Sequence, residues 1–536
     1  MRSMPEPPGI LASARRSGQK DPLTQRKIRP KVRAGALVLG LCCLGVVVGR
    51  TIMSCGGGDT IESCADLTTP ELRAAYGQQL GCGFGGSTRV CSPRLVTGAV
   101  DDACGIFVSP KGSPVGTGSK ADPVDSLKAG IALLTRQWPR LYLCEGTFSE
   151  ETTIPMLVEV YGGLDCTTWV RVGNGVKTKL TAPPEKIPLT LEGGTDPVTV
   201  EDVHVIAADA VTPGGSSIAA VVNHAETTLR DVVFEAGEAQ PGADGELMPD
   251  AVSGTKGATG PNGCVANHTG GSEKTTNRCD GNPISVGGEG GSGEFNWGQL
   301  GHNGLPQGAD NGGIGYHAMH FFCTDGGPGN DGIEGLPGMG GSGLGIVTTW
   351  GYRGITGNPG KSGKVGQGGG GGGGWRGDAY CGNLPMKGGP SGGGGGSGGC
   401  GGLGGLEGKP GGSSFGMISL SATFTFESVV VKAKNAGRGG NGGLGQAGGM
   451  PGAGGEPGVA PPTMVFACRG GPGGRGGNGG QGGGATGGHS VAIAFSGPTP
   501  LAKGVTMERG EAGMGGTGAD ALGAGSNGVS ADAHAF

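Results

Sequence analysis

From residue 105 onward the chain carries short β-branched and aromatic runs, some alternating with polar residues, divided by turn residues. Examples are Gly105-Ile-Phe-Val108, Leu141-Tyr-Leu143, Leu157-Val-Glu-Val-Tyr161 and Pro188-Leu-Thr-Leu191. A period of two over such short lengths predicts strands. One stretch keeps a different period. In Pro123 to Trp138, the residues Val124, Leu127, Ile131 and Leu134 recur at three- and four-residue steps, which predicts a helix with one apolar face. A shorter helix is predicted over Pro70 to Gln79, after Thr68-Thr69 as a cap.

An internal repeat runs through the strand pattern. Val200-Glu-Asp-Val-His-Val-Ile-Ala207 aligns with Leu229-Arg-Asp-Val-Val-Phe-Glu-Ala236 and with Phe426-Glu-Ser-Val-Val-Val-Lys-Ala433. The second and third copies extend upstream without a gap, so that Ser217-Ile218 matches Ser414-Phe415. A looser fourth copy runs from Ser490 through Leu501 to Glu508 and takes one inserted residue, which sets Lys503 against Ser428. The first two copies lie 29 residues apart. Repeats of 20 to 50 residues built of alternating strands predict a solenoid, each unit burying its inward face by stacking on the next. The expected fold is all-β, a right-handed parallel β-helix.

Composition explains what interrupts the repeat. Glycine supplies 128 of 536 residues, 30 of them before residue 241 and 98 after it. A one-third-glycine half suggests collagen, but runs such as Gly368 to Gly374 break the strict three-residue register that collagen needs. Residues 237–413 separate copy two from copy three, 434–489 separate copy three from copy four, and 513–536 follow copy four. Solenoid insertions collect on one face, so these blocks are expected to leave the coils at one corner. They are either flexible and disordered or polyproline-II-like strands packed through their glycine faces, because backbone without side chains approaches closely. The expected organisation is an export signal or anchor over 1–55, a Cys-containing linker or cap over 56–104, an N-terminal β-helix over 105–236, a Gly- and Cys-rich insertion over 237–413, a rung over 414–433, a second insertion over 434–489, a rung over 490–512 and a tail over 513–536.

The opening of the β region resembles a known family. Asp102-Ala-Cys-Gly-Ile-Phe-Val-Ser-Pro-Lys-Gly-Ser-Pro114, the helix around Leu127, Leu141-Tyr-Leu-Cys-Glu-Gly-Thr-Phe-Ser-Glu150 and Tyr161-Gly-Gly163 are similar to the start of secreted pectin-lyase-like β-helix proteins. The glycine-rich remainder resembles, by composition, the PGRS-type repeat proteins of bacterial surfaces. Together these imply a β-helix and an exported location, as in uncharacterised lipoprotein-like families. Lyases of this fold use a Ca²⁺ cluster of acids with a basic proton acceptor, and its glycosidases use Asp pairs on adjacent rungs. Here Asp202 and Asp231 occupy equivalent repeat positions, but the glycosidase motif order is not found.

The N-terminus adds to the export reading. Nine Lys or Arg over residues 1–33 precede the apolar run Ala34 to Gly49, the order of a signal peptide, and the run is shorter than a comfortable transmembrane helix. Ile52-Met-Ser-Cys55 resembles a lipobox with Cys55 as the lipidated residue and Gly56-Gly-Gly-Asp59 as tether, with simple cleavage or an uncleaved anchor as alternatives. Beyond residue 50, 29 basic residues face 42 acidic ones, which excludes a nucleic-acid footprint. Twelve cysteines remain for disulfides in an oxidising compartment: Cys64, Cys82, Cys91, Cys104, Cys144, Cys166, Cys264, Cys279, Cys323, Cys381, Cys400 and Cys468. Their pairing does not follow from spacing.

Candidate chemistry is sparse. Asp331 and Asp520 sit in solitary matches to the Ca²⁺-binding β-roll nonapeptide, Gly326-Gly-Pro-Gly-Asn-Asp-Gly-Ile-Glu334 and Gly515-Gly-Thr-Gly-Ala-Asp-Ala-Leu-Gly523, so Ca²⁺ is the one cofactor considered. His317-Ala-Met-His320-Phe-Phe-Cys323 has metal-like spacing, yet the aromatic residues around it read as a small core and Cys323 as a disulfide partner. Nine of the 24 aromatics fall in the 237–413 block, where they suit either a miniature core or sugar stacking. The expected function is non-enzymatic: a cell-envelope or surface β-helix, structural or adhesive, that displays Gly-rich loops and is held at the outer membrane or cell surface by a lipid or apolar anchor. Its expected partners are that membrane and a polysaccharide or surface protein. The alternative is a polysaccharide-binding or polysaccharide-cleaving β-helix.

Overall fold

The computed structural model describes residues 90–194, 196–280, 284–317, 319, 321–378, 380–381, 386–461 and 463–536. Cys55, Cys64, Cys82 and the Pro70 to Gln79 helix lie outside the described residues.

Three six-stranded parallel sheets form the β region. The first holds Ile106–Ser113, Arg140–Cys144, Glu159–Leu164, Val198–Glu201, Glu226–Arg230 and Thr423–Glu427. The second holds Thr147–Ser149, Thr178–Thr181, Val203–Ile206, Val233–Glu235, Val429–Lys432 and Val505–Glu508. The third holds Thr152–Ile154, Leu189–Glu192, Ser217–Asn223, Ser414–Leu420, Ser490–Ser496 and Ser530–Ala535. From Arg140 onward the chain visits the first, second and third sheets in turn and then returns to the first, an order compatible with a parallel β-helix. All three sheets turn apolar residues into one core: Leu141, Val160, Val200 and Leu229 from the first, Phe148, Leu180, Val205 and Phe234 from the second, and Ile154, Leu191, Val222 and Met417 from the third.

The repeat is the pairing register. Leu229 pairs with Val200 on one side and Phe426 on the other, and Ser217 pairs with Ser414, which pairs with Ser490. Two corners are single residues in the left-handed region. Between the first and second sheets these are Asp202, Asp231, Ser428 and Gly504, with φ of 55°, 50°, 56° and 81°. Between the third and first they are His224, Ser421 and Gly497, with φ of 50°, 51° and 109°. Short polar side chains and glycine tolerate that conformation best. The fourth copy needs no inserted residue: Val505 pairs with Val429, so Gly504 and not Lys503 stands at the Ser428 corner. Alignment by apolar residues put Leu501 at the place of Phe426, but Ala502 holds it. The last coil also lacks a strand in the first sheet, in the segment that carries Pro498 and Pro500.

The helix is shorter than its apolar period predicts, Leu127–Leu133. Ser126 caps it through the Ala129 amide, and the Glu150 carboxylate accepts from the Leu127 and Lys128 amides. Val124 stays extended, bridging Val108 and Ser113 in parallel. Leu134 is already extended at the far end.

All three glycine-rich segments leave between the second and third sheets, and their described residues pack strand against strand. The offset of 197 residues that pairs Ser217 with Ser414 continues into them, where Asn441 bonds Asp244, Met450 bonds Ser253 and Val459 bonds Asn262. The offset of 76 that pairs Ser414 with Ser490 likewise joins Glu511 to Asn435 and Thr517 to Asn441. Coils of the β region therefore pass into the glycine segments without loss of register. Within those segments every third amide bonds a neighbouring strand: Gly399, Gly402, Gly405 and Gly408 donate to Gly474, Gly477, Gly480 and Gly483, at 2.9 to 3.0 Å. A three-residue period without helix or ladder is that of polyproline II.

Gly368 to Gly374 shows why one stretch has no side chain at all. Its amides donate in rotation to residues near 302, 396 and 327: Gly371 to His302, Gly369 to Gly396 and Gly370 to Gly327. A Cβ on Gly371, Gly372 or Gly373 would strike the carbonyl of Glu289, Cys468 or Ile314, on three further segments. Six neighbours surround this strand, so none of its three faces has room for a methyl group. Outer strands have open faces and carry side chains there.

Disulfides lie in both halves of the molecule. Cys91–Cys104 and Cys144–Cys166 lie beside the first sheet, whereas Cys264–Cys381, Cys279–Cys400 and Cys323–Cys468 tie glycine segments together. Five disulfides among the described residues suggest an oxidising, extracytoplasmic environment. Among the described residues no helix is long and apolar enough to cross a membrane.

Candidate functional site

The densest group of charges lies on the outer side of the first sheet, and strand register assembles it. Phe107, Tyr142, Tyr161, Glu201, Arg230 and Glu427 form one column, each paired with the next. Its first half is aromatic: Phe107 stacks on Tyr142 at 5.0 Å and Tyr142 on Tyr161 at 5.5 Å, with Trp169 edge-on to Phe107 at 4.9 Å. The segment carrying Cys91, Val100 and Cys104 covers this half, and the Tyr142 hydroxyl donates to the Cys91 carbonyl at 2.7 Å. Burial pushes both tyrosine hydroxyls well above their ordinary pKa.

The second half is ionic. Arg230 bonds Glu201 at 2.7 Å and Glu427 at 2.9 Å. Arg171 grips both oxygens of Asp202, at 2.6 and 2.8 Å. Arg94 reaches across from the covering segment to Glu201 at 3.1 Å, to Asp202 at 3.4 Å and, closer still, to Asp231. Lys177 donates to the Asp231 backbone carbonyl at 2.5 Å. Glu201 and Asp202 are only 2% and 4% exposed, so their charges depend on these partners. Burial works against the Asp231 charge, but the bond from Arg94 and the charges of Arg94, Lys177 and Arg171 outweigh it and hold its carboxyl below the usual range. Four acids thus meet three arginines and a lysine.

This arrangement answers what the paired aspartates do. Asp202 and Asp231 are corner residues in the left-handed conformation, and each carboxylate is bonded by an arginine. A general acid needs a carboxyl that keeps its proton near neutral pH; Asp231 is pushed the other way. Arg94, Arg171 and Lys177 lie outside the repeat, and no spacing marks them. Glu201, Arg230 and Glu427 were not singled out from the sequence, although one slot of the repeat reads Glu, Arg, Glu in successive copies, the signal of a charge ladder.

The remaining candidates are dispersed. The Asp331 carboxylate accepts the Arg475 amide at 2.7 Å, as Asp325 and Glu334 accept those of Arg469 and Asn478. Asp520 accepts the Gly523 amide at 2.8 Å. Among the described residues no three His, Cys, Asp or Glu side chains converge as a metal site requires. Cys323 is bonded to Cys468, and His317 lies edge-on to Trp297 at 6.4 Å. His320 lies outside the described residues. Tyr316 and Trp375 pack at 4.9 Å, with the Arg376 guanidinium 4.6 Å over the Tyr316 ring, so these aromatics form a small cluster beside Cys264–Cys381. No family model, no curated protein and no solved structure matches the chain.

Proposed function

We propose that this protein is a non-enzymatic component of the cell envelope: a right-handed, closed parallel β-helix that holds its glycine segments as a rigid lateral lattice at the cell surface. The observation that carries the reading is the shared register. Segments that merely loop out have no reason to keep the offset of the strands they leave, whereas a structural plate must. The self-paired ionic column supports the same reading, since it joins successive coils and leaves no carboxylate free for acid–base work. The order of the sheets, the shared core and the resemblance of residues 100–240 to pectin-lyase-like proteins support the β-helix, and the composition of the remainder supports kinship in style with PGRS-type surface proteins. Cys55 is the proposed lipid attachment, with simple cleavage or an uncleaved anchor as the alternatives. Metabolic labelling with a fatty acid, with Cys55→Ser as control, distinguishes them.

The enzymatic alternative has a direct test. The purified chain is incubated with a panel of polysaccharides, with and without Ca²⁺, and new reducing ends or unsaturated products are followed. The scaffold reading expects none. Product formation abolished by Asp202→Asn or Asp231→Asn would place an active groove on the first sheet and end that reading.

A further inference from the structure

The outer face of the third sheet is covered by an antiparallel hairpin, Ile346–Thr348 with Gly351–Arg353, that returns from the glycine segments. Val347 and Tyr352 of the hairpin pack on Ile218, Val221, Phe415, Ile418 and Val491, which explains why this sheet is apolar on both faces. Burial pushes the Tyr352 hydroxyl up to about 12, and that hydroxyl donates to the Leu344 carbonyl at 2.9 Å, so the hairpin base is fixed. Its tip is also tied, because the Thr348 hydroxyl accepts the Trp350 amide at 3.2 Å and donates to the Gly351 carbonyl at 3.2 Å.

On that fixed tip Trp350 is 93% exposed. The hairpin spends sheet area and hydrogen bonds to hold in place a large aromatic face that packs against nothing. Beside the indole is a half-open cleft of about 200 Å³, lined by Trp350, Tyr352, Glu185, Lys186, Ser216 and Ile218. The polar groups in it are held in place. Glu185 is fixed by the Val211 and Thr212 amides, at 2.7 and 2.8 Å, and by the Thr212 hydroxyl at 3.0 Å, all on one of its carboxylate oxygens. Ser216 accepts the Ser413 amide at 2.9 Å and keeps its own proton to donate. Lys186 is oriented by Glu151 at 3.1 Å.

We propose that this cleft is a non-catalytic subsite for one neutral pyranose ring of a glycan. An exposed indole offers the flat apolar surface on which the C–H face of a pyranose packs. A carboxylate acceptor with a hydroxyl and an ammonium donor at its rim suits the ring's hydroxyl groups, which both give and receive hydrogen bonds. The cleft is smaller than the pockets that enclose drug-sized ligands, so it takes one ring and leaves the rest of the chain in solvent. The Glu185 carboxylate repels a uronate, and Lys186 is already paired, which selects the neutral sugar. The site lies on a different sheet from the ionic column, and a pure scaffold has no use for it.

The test uses the full disulfide-bonded chain and defined oligosaccharides of glucose, N-acetylglucosamine, mannose and galactose, with galacturonate oligomers for comparison, read by saturation-transfer NMR and tryptophan fluorescence. At least one neutral oligosaccharide is expected to bind. Trp350→Ala is expected to weaken it by about tenfold or more, Ser216→Ala by a few fold, and Trp350→Phe, which keeps an aromatic face, by no more than about threefold. Trp350 is exposed, so its variants should unfold at the same temperature as the parent. Absence of binding by every neutral oligosaccharide, equal binding by Trp350→Ala, or binding of galacturonate alone would each overturn the proposal. The polysaccharide-cleavage assay is unaffected by any of these results, so scaffold and subsite stand or fall separately.

Discussion

At Gly371 a methyl group would meet the backbone carbonyl of Glu289 and the amide side of Gly290, neither of which can rotate away. At Gly270 the same methyl group would meet nothing within 4 Å. Gly371→Ala is therefore expected to destabilise the protein by about 1–3 kcal/mol, in the range of overpacked cores. Gly270→Ala should be neutral or stabilising by about 0.4–1 kcal/mol, through the unfolded chain alone. Denaturant unfolding of the two variants side by side reads the difference. His489 is the other residue whose chemistry is set by its surroundings. Its Nδ1 accepts the Val529 amide at 2.9 Å, which leaves Nε2 to donate to the Leu344 carbonyl at 2.8 Å. The Tyr352 and Phe536 rings stand edge-on to it at 5.3 and 5.1 Å, and His534 lies near enough to disfavour a second positive charge. Burial lowers its pKa against the pull of the Leu344 bond. A histidine lowered in the folded state contributes stability that is complete above its unfolded value near 6.5 and is lost as pH falls through the folded one. The melting temperature should decline on acidification below about pH 6.5, and His489→Gln should flatten that decline. His204, also lowered by burial and bonded to Glu235, should keep part of the slope.

Strands, corners and glycine segments differ in how openly their sequences announce them. The repeat positions Val200, Leu229 and Phe426 were legible because a two-residue period and a shared core leave apolar residues in fixed slots. The fourth copy was misaligned for the same reason: at its outer coil Ala502 stands in the slot of Phe426, and apolar matching alone prefers Leu501. The Asp202 and Asp231 column was legible as a column but not as a corner, since what decides its role is Arg94 and Arg171, which are distant in sequence. For the glycine segments, composition left order and disorder equally open. The neighbours of a strand such as Gly368 to Gly374 lie tens of residues away in sequence, so no local pattern carries the information. The disulfides bear on this level too. Cys279 and Cys400 close 121 residues and join two glycine-rich segments. Replacing both with Ser should cost about 4 kcal/mol by loop entropy and open the 264–381 region to protease before the β region melts. Limited proteolysis followed by mass spectrometry reads the order.

The molecule as a whole combines two ways of being solid. The β region buries side chains in the usual manner, whereas the glycine half buries peptide groups against one another. Exposing apolar surface raises the heat capacity on unfolding and exposing peptide lowers it, and ordinary proteins average about 12–15 cal/mol/K per residue. Calorimetry of the oxidised protein should return a value per residue below that range. A value inside it would mean that the glycine half contributes no buried backbone. The ionic column works on the same scale, since Arg94 fastens the covering segment across the coils that hold Glu201, Asp202 and Asp231. Arg94→Ala should cost about 1–3 kcal/mol in denaturant unfolding, because Asp231 loses its nearest partner while Arg230 and Arg171 still pair Glu201 and Asp202.

The three-residue period gives the glycine half something like a reading frame. Each segment presents its faces in rotation, and only one phase turns its glycines toward crowded neighbours and its Asn, Asp or Leu residues toward water. Adding a single residue within 445–449 would turn every later face by a third of a circle and drive the Met450 and Glu456 side chains into carbonyl groups. Adding three would restore the phase and merely shift the strand by one period. Such a protein can change size in whole triplets and in paired outward and returning strands, much as a crystal grows by rows, while a slip of one or two residues acts on its lattice as a frameshift acts on a gene.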